Sequence, residues 1–154
     1  MFEQILPRRV DESYRGRRFA LWLFGVLVLM KTSIGLGTIF NGRNAAVSAD
    51  GIPLDSFGPA GAQAFLSIFA AWGLAQAMLG LVCIVVLVRY RALVPFMFAL
   101  LLLEHLCRKL IFVVMPIDRT AHAPGSLINL ALVGLMVVGL VLSLRSTARR
   151  RALD

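Results

Sequence analysis

Four long, mostly apolar stretches dominate the chain, at 19–40, 62–88, 93–115 and 126–144. A helix needs roughly 20 such residues, at about 1.5 Å each, to cross the ~30 Å hydrocarbon core of a bilayer. In lipid a helix satisfies its own backbone polar groups, so the runs predict an all-α polytopic membrane protein, a bundle of four transmembrane helices. Composition agrees, because 59% hydrophobic residues and a mean hydropathy of +0.83 over 154 residues are too apolar for a soluble domain of this size.

The charges between the runs set an orientation. Arg8, Arg9, Arg15, Arg17 and Arg18 precede the first run, Arg89 and Arg91 separate the second from the third, and Arg145, Arg149, Arg150 and Arg151 follow the fourth. The opposite side holds Arg43 and Arg119, and cations are retained on the cytoplasmic side during insertion. Both termini are therefore expected in the cytoplasm, and the location expected is a bacterial inner (plasma) membrane. The formal charge of +8 is explained the same way. A basic nucleic-acid binder gathers its Lys and Arg on one folded face rather than between apolar runs, so no nucleic-acid partner is expected.

Residues 1–18 read as a basic cytoplasmic arm, 19–144 as the membrane domain and 145–154 as a basic cytoplasmic tail. In the arm, Phe2, Ile5, Leu6 and Val10 recur at near-helical spacing beside Arg8 and Arg9. That pattern suits either a segment lying on the anionic inner leaflet or a flexible leader. Ala46-Val47-Ser48-Ala49 resembles a signal-peptide cleavage site, but the preceding run exceeds the 7–15 residues typical of a signal peptide's apolar region, and the first helix is expected to be retained. The outer loop 41–61 carries turn signals at Asp50-Gly51 and Ile52-Pro53, and a shorter outer loop, 116–125, holds Asp118, Arg119 and His122.

Within the third run stands Glu104-His105-Leu106-Cys107-Arg108-Lys109. An ionisable group at the centre of a spanning helix costs at least about 2.5 kcal/mol, so charges at that depth are functional candidates. At about 100° per residue, Glu104, Arg108, His105 and Lys109 form one polar stripe, with Leu103, Leu106, Cys107 and Leu110 on the other side. Glu104 and Arg108 have the i, i+4 spacing and order that favour pairing. Lys31 in the first run lies at similar depth, so Lys31, Glu104, His105, Arg108 and Lys109 form a candidate ligand-binding set. Three cations against one carboxylate leave a surplus of two charges that must find an anion, reach water or be neutralised by deprotonating a lysine; candidate anions are a lipid phosphate, a fatty-acid or isoprenoid carboxylate or diphosphate, or an acidic residue of a partner. Arg108 suits bidentate recognition of carboxylate or phosphate, and Lys31 a point charge. The competing readings are structural pairing of Glu104 with Lys31, with Arg108 and Lys109 reaching to the interface, and a proton or ion path.

Glu104 and His105 are the candidate catalytic pair, though adjacent helical positions diverge. A bis-histidine haem is not expected, because the other histidine, His122, is in a loop. No metal site or cofactor is expected. Cys83 and Cys107 form no CxxC pair and are expected as core thiols. Gly73, Ala77 and Gly80, with Ser33, Gly35 and Gly37, have the small-residue spacing of close helix packing. Gln76 and Asn129 are available for bonds between helices and either could complete the polar cavity, with Trp22 expected as an interfacial anchor and Trp72 in the core.

In size, four-run layout, orientation and charged third run, residues 19–144 resemble the small bacterial inner-membrane proteins grouped around the DoxX-like and related uncharacterised families. The resemblance implies the same architecture. The redox role associated with some of those proteins transfers to no residue here, and four-helix thiol oxidoreductases need a CxxC pair that this chain lacks. Small multidrug exporters carry an acid in the first helix and little charge bias, whereas this chain has Lys31 and a strong bias. The function expected is that of a non-enzymatic membrane protein, an accessory or assembly subunit or a binder of an anionic amphiphile. Its partners would be membrane lipids and either a larger membrane complex or further copies of itself. A membrane enzyme acting on a lipid or quinone-like substrate and a small transporter or channel are the alternatives.

Overall fold

The computed structural model describes residues 16–119 and 125–151, together with Ile5 and Tyr14, with side chains in the last helix as far as Arg145. Four long helices make up most of it: α1 (Arg18–Phe40), α2 (Gly58–Arg89), α3 (Val94–Val114) and α4 (Gly125–Arg151). No strand occurs among the described residues. Local chemistry sets the boundaries. Gly58 takes φ +69°, a left-handed conformation that favours glycine, and Pro59 and Pro95 stand in the first turns of α2 and α3, where no N–H is needed. α2 starts at Gly58 rather than 62, and α4 continues to Arg151, taking in much of the stretch read as a tail.

By length and composition α1, α2 and the Gly125–Arg145 part of α4 can cross a membrane. α3 differs because Glu104, Arg108 and Lys109 fall within its 21 residues. Its apolar face is nonetheless broad, and Leu103, Leu106, Leu110, Ile111, Val113 and Val114 are all exposed. So much exposed aliphatic surface on all four helices suits lipid rather than water.

α1 and α2 run antiparallel along a seam of small residues. A Cβ built on Gly35 would stand 2.9 Å from both Ala77 N and Gly73 O, and one on Gly73 would stand 2.8 Å from Gly35 O. The backbones approach too closely for any larger side chain at either position. Gly80 continues the seam against Thr32. Gly73, Ala77 and Gly80 thus lie where their spacing suggested, whereas Ser33 is exposed and Gly37 meets open space, so these two are not part of the close contact.

α3 packs on α4 with Phe98 over Gly139, and α1 meets α3 through an edge-to-face pair of Phe24 and Phe98, centroids 5.1 Å apart. Around it lies the main core, comprising Phe24, Leu27, Val28, Cys83, Val86, Val94, Met97, Phe98, Leu101, Leu132 and Met136. This core fills the half of the molecule nearest the start of α1. Tyr14 packs on its edge, and burial pushes the phenol up to about 12. A Cβ on Gly16 would stand 2.9 Å from Ser143 O, so the chain enters α1 at the same end of the molecule at which α4 finishes.

Two expectations need correction. Cys83 is buried in the core, but Cys107 is exposed, because the buried face of α3 runs through Val94, Phe98, Leu101 and His105 and Cys107 lies about 200° around from His105. The loop after α1 is not a string of turns. It forms a helical turn (Gly42–Asn44), a π-helical turn (Ala45–Ala49) and a 3-10 turn (Leu54–Ser56), and buries Ala46, Ile52 and Leu54 against Phe65, Leu66 and Phe69 of α2. The result is a small cap over the end of α1 and the start of α2. The rest of the basic arm, with Phe2, Leu6, Arg8, Arg9 and Val10, and residues 120–124 with His122, lie outside the described residues.

Candidate functional site

Between the cap and the core lies a cavity of about 730 Å³. All four long helices line it, α1 from Lys31 to Asn41, α2 from Phe65 to Gln76, α3 at Arg108 and Phe112, and α4 from Gly125 to Leu132. The cap contributes Asn44, Ser48 and Asp50, and the connection from α3 to α4 contributes Ile117 and Arg119. Most of the wall is aliphatic or aromatic, with polar groups at two levels. One level is the floor next to the core, where Lys31, Gln76 and Arg108 stand. The other is beneath the cap, where Asn41, Asn44, Ser48, Asp50, Arg119 and Asn129 gather.

The floor is a charged network built around Glu104. Lys31 Nζ donates to Glu104 Oε2 at 2.6 Å, Gln76 Nε2 donates to Oε1 at 3.1 Å, and Arg108 Nε lies 3.9 Å from Oε1 one helical turn away. Lys31 is 5% exposed, and so deeply buried a cation persists only when paired. Gln76 is oriented by the same logic, because an ionised carboxylate only accepts hydrogen bonds and its neighbour must turn the NH₂ end toward it. Arg108 Nη2 donates to His105 Nδ1 at 2.8 Å, which leaves the imidazole proton on Nε2. The guanidinium also stacks on Trp72, 5.1 Å from the ring centroid.

These contacts bring together Lys31, Glu104, Arg108 and His105, but not Lys109, which is exposed and lines no part of the cavity. The stripe of α3 is wider than the surface its neighbours cover. The local balance is therefore two cations against one carboxylate, a surplus of one positive charge rather than two. Glu104 and His105 are not among the side chains that line the cavity, so the floor presents chiefly the donors of Lys31, Gln76 and Arg108.

Sequence reasoning missed the upper polar level. Asp50 reads as a turn residue, yet the cap folds it toward the start of α4, its Oδ1 2.9 Å from where a Cβ on Gly125 would stand. Burial raises the Asp50 carboxyl above the usual carboxylate range, against the opposing pull of Arg119 and Arg108. Arg119 lies over Phe112, 4.8 Å from its centroid. Trp72, expected in the core, is half-buried and belongs to the wall, where Phe65, Phe69 and Trp72 form a row with centroid spacings of 5.5 and 5.6 Å. Asn129 also faces the cavity.

No family model matches the chain, and neither does any curated protein or solved structure.

Proposed function

We propose that the chain is a four-span protein of a bacterial inner membrane, both termini cytoplasmic, that binds an anionic amphiphile in the cavity and catalyses no reaction on it. One observation carries this reading, namely a largely apolar cavity of about 730 Å³ with Lys31 and Arg108 on its floor and a single carboxylate, Glu104, between them. A cavity of that size suits a small-molecule ligand held by apolar walls and oriented by a few polar groups. The surplus positive charge suits a monoanionic head, and Arg108 offers the planar donors that a carboxylate or phosphate accepts.

The orientation follows from the cations. Arg17, Arg18, Arg89, Arg91 and Arg145 belong to the end of the molecule filled by the core, and the cavity to the end that holds Arg43 and Arg119. The cavity then occupies the outer half of the membrane domain. α3 joins the three apolar spans as a fourth because its Glu104 and Arg108 are satisfied internally, which reduces the cost of inserting them.

This reading ranks above the enzyme and transport alternatives. Proton transfer by Glu104 or His105 requires contact with a ligand, and neither is among the side chains that line the cavity. Transport requires a path through the inner half, which Phe24, Leu27, Phe98 and Leu101 fill. The test is native mass spectrometry of protein gently extracted from its own membrane, wild type beside Arg108→Ala. A small anionic amphiphile should accompany the wild type and be lost from the variant. A larger protein retained by both forms, with no small molecule on either, would instead make the chain an accessory or assembly subunit whose charged network is structural.

A further inference from the structure

The floor specifies charge, and the wall above it specifies shape. Three aromatic side chains of α2, Phe65, Phe69 and Trp72, stand in a row along the cavity with interplanar angles of 26° and 16°. All three line the cavity and are only partly buried; their faces are taken up by one another and by Arg108, and Phe65 and Phe69 also pack on the cap, so it is ring edges that are left for an occupant. The row ends at a cation, since Arg108 stacks on Trp72. Phe112 of α3 also lines the cavity and carries Arg119 over its ring. Both arginines of the cavity thus rest on an aromatic face, which fixes the guanidinium while leaving in-plane N–H groups for an acid, and Lys31 is held instead by Glu104.

We infer that the occupant is an acid with a flat, conjugated or aromatic body, and not a saturated acyl chain. This rests on the proposed function and narrows its ligand class. Saturated chains gain from any apolar wall in proportion to area, and aliphatic side chains would serve them equally well. Planar π-systems gain in addition from offset or edge-on contact with rings, and a row of nearly parallel rings provides that contact over a distance. An acid at the end of such a body reaches Arg108 and Lys31, while the body lies along Trp72, Phe69 and Phe65 toward the cap. From Lys31 to Asn41 the α1 wall rises about 15 Å, enough for an extended polyene or a substituted ring system.

The experiment compares two monocarboxylates of similar length, the conjugated polyene all-trans-retinoate and saturated palmitate. Purified full-length protein is held in phosphatidylcholine nanodiscs. Retinoate binding is read by energy transfer from tryptophan, palmitate binding by displacement of retinoate, and Arg108→Gln separates site binding from partition into lipid. The wild type should bind retinoate about tenfold more tightly than palmitate, the gain expected of one or two good ring contacts. Phe69→Leu should lower retinoate affinity until the two are nearly equal. Equal affinities in the wild type, with both ligands lost in Arg108→Gln, would overturn the flat-body inference and leave the anionic-amphiphile reading standing. A preference that survives Phe69→Leu would also overturn it. Binding of neither ligand above the Arg108→Gln background would remove the proposed function itself. If Phe69→Leu does not fold, the wild-type comparison decides alone.

Discussion

Lys31 Nζ donates to Glu104 Oε2 at 2.6 Å, which ties α1 to α3 across 73 positions of sequence. The two helices also meet through Phe24 and Phe98 lower down, so this bond is a second tie between them, at the floor of the cavity. Lys31 has no other acidic neighbour within ion-pair distance among the described residues. Its charge is tolerable at that depth because Glu104 is there.

Replacing Glu104 with Gln should therefore destabilise the protein by about 3 kcal/mol, since breaking a buried pair leaves an uncompensated charge. Lys31→Met in the same chain should restore more than half of the loss. Thermal unfolding in nanodiscs measures both. If Glu104→Gln unfolds within a degree of the wild type, the pair is not what holds the floor.

The α1–α2 seam makes a contrasting pair of predictions. Gly73→Val forces extra atoms against Gly35 O and Thr38 and should cost about 2 kcal/mol. Gly37→Ala, two residues beyond Gly35 on the same helix but with nothing within 4 Å of its Cβ, should leave unfolding unchanged. Equal effects at the two positions would mean that the helices do not cross where the structure places them.

Asp50 predicts a pH effect of definite sign. Its carboxyl is raised from an ordinary value of 3.8, chiefly by burial, so the folded state holds the proton more tightly than the unfolded chain does. Ionised Asp50 then costs stability at neutral pH. That cost shrinks as pH falls through the folded-state value and disappears below about 3.8. Asp50→Asn should accordingly raise the unfolding temperature at pH 7 and make little difference at pH 4. A benefit that grows on acidification would mean that the carboxylate is stabilised where it sits.

Orientation is testable with single cysteines in a chain whose own two are replaced by Ser. A membrane-impermeant maleimide added outside intact cells should label Ser56→Cys in the cap, a position exposed in the structure. It should leave Ser13→Cys and Ser146→Cys unlabelled until the cells are opened. The opposite pattern would invert the molecule and put the cavity in the inner half of the membrane.

The helical architecture was legible because membrane insertion is governed by one-dimensional quantities. Run length against bilayer thickness marks the helices, and the position of Lys and Arg marks their expected direction. Small residues four apart on α2, Gly73 and Ala77, marked a face that permits close helix contact, but which helix would meet it was not in the sequence. Depth arithmetic likewise singled out Lys31, Glu104 and Arg108, because charges far from either end of a span must find one another or water.

Which side chains share a surface was settled only by the tertiary structure. Helical periodicity assigns Lys109 to the same stripe as Glu104, but how wide a stripe becomes buried depends on where the neighbouring helices lie. For the same reason Cys83 is core and Cys107 is not. The cavity itself could not be read from sequence, because Phe65, Phe69 and Trp72 have the spacing of ordinary core residues. They become a wall only because the 41–57 segment folds into a cap above them while the core fills the space below. Asp50 is drawn into the site by that cap, a consequence of long-range packing of Ala46, Ile52 and Leu54 on α2 that no local pattern records.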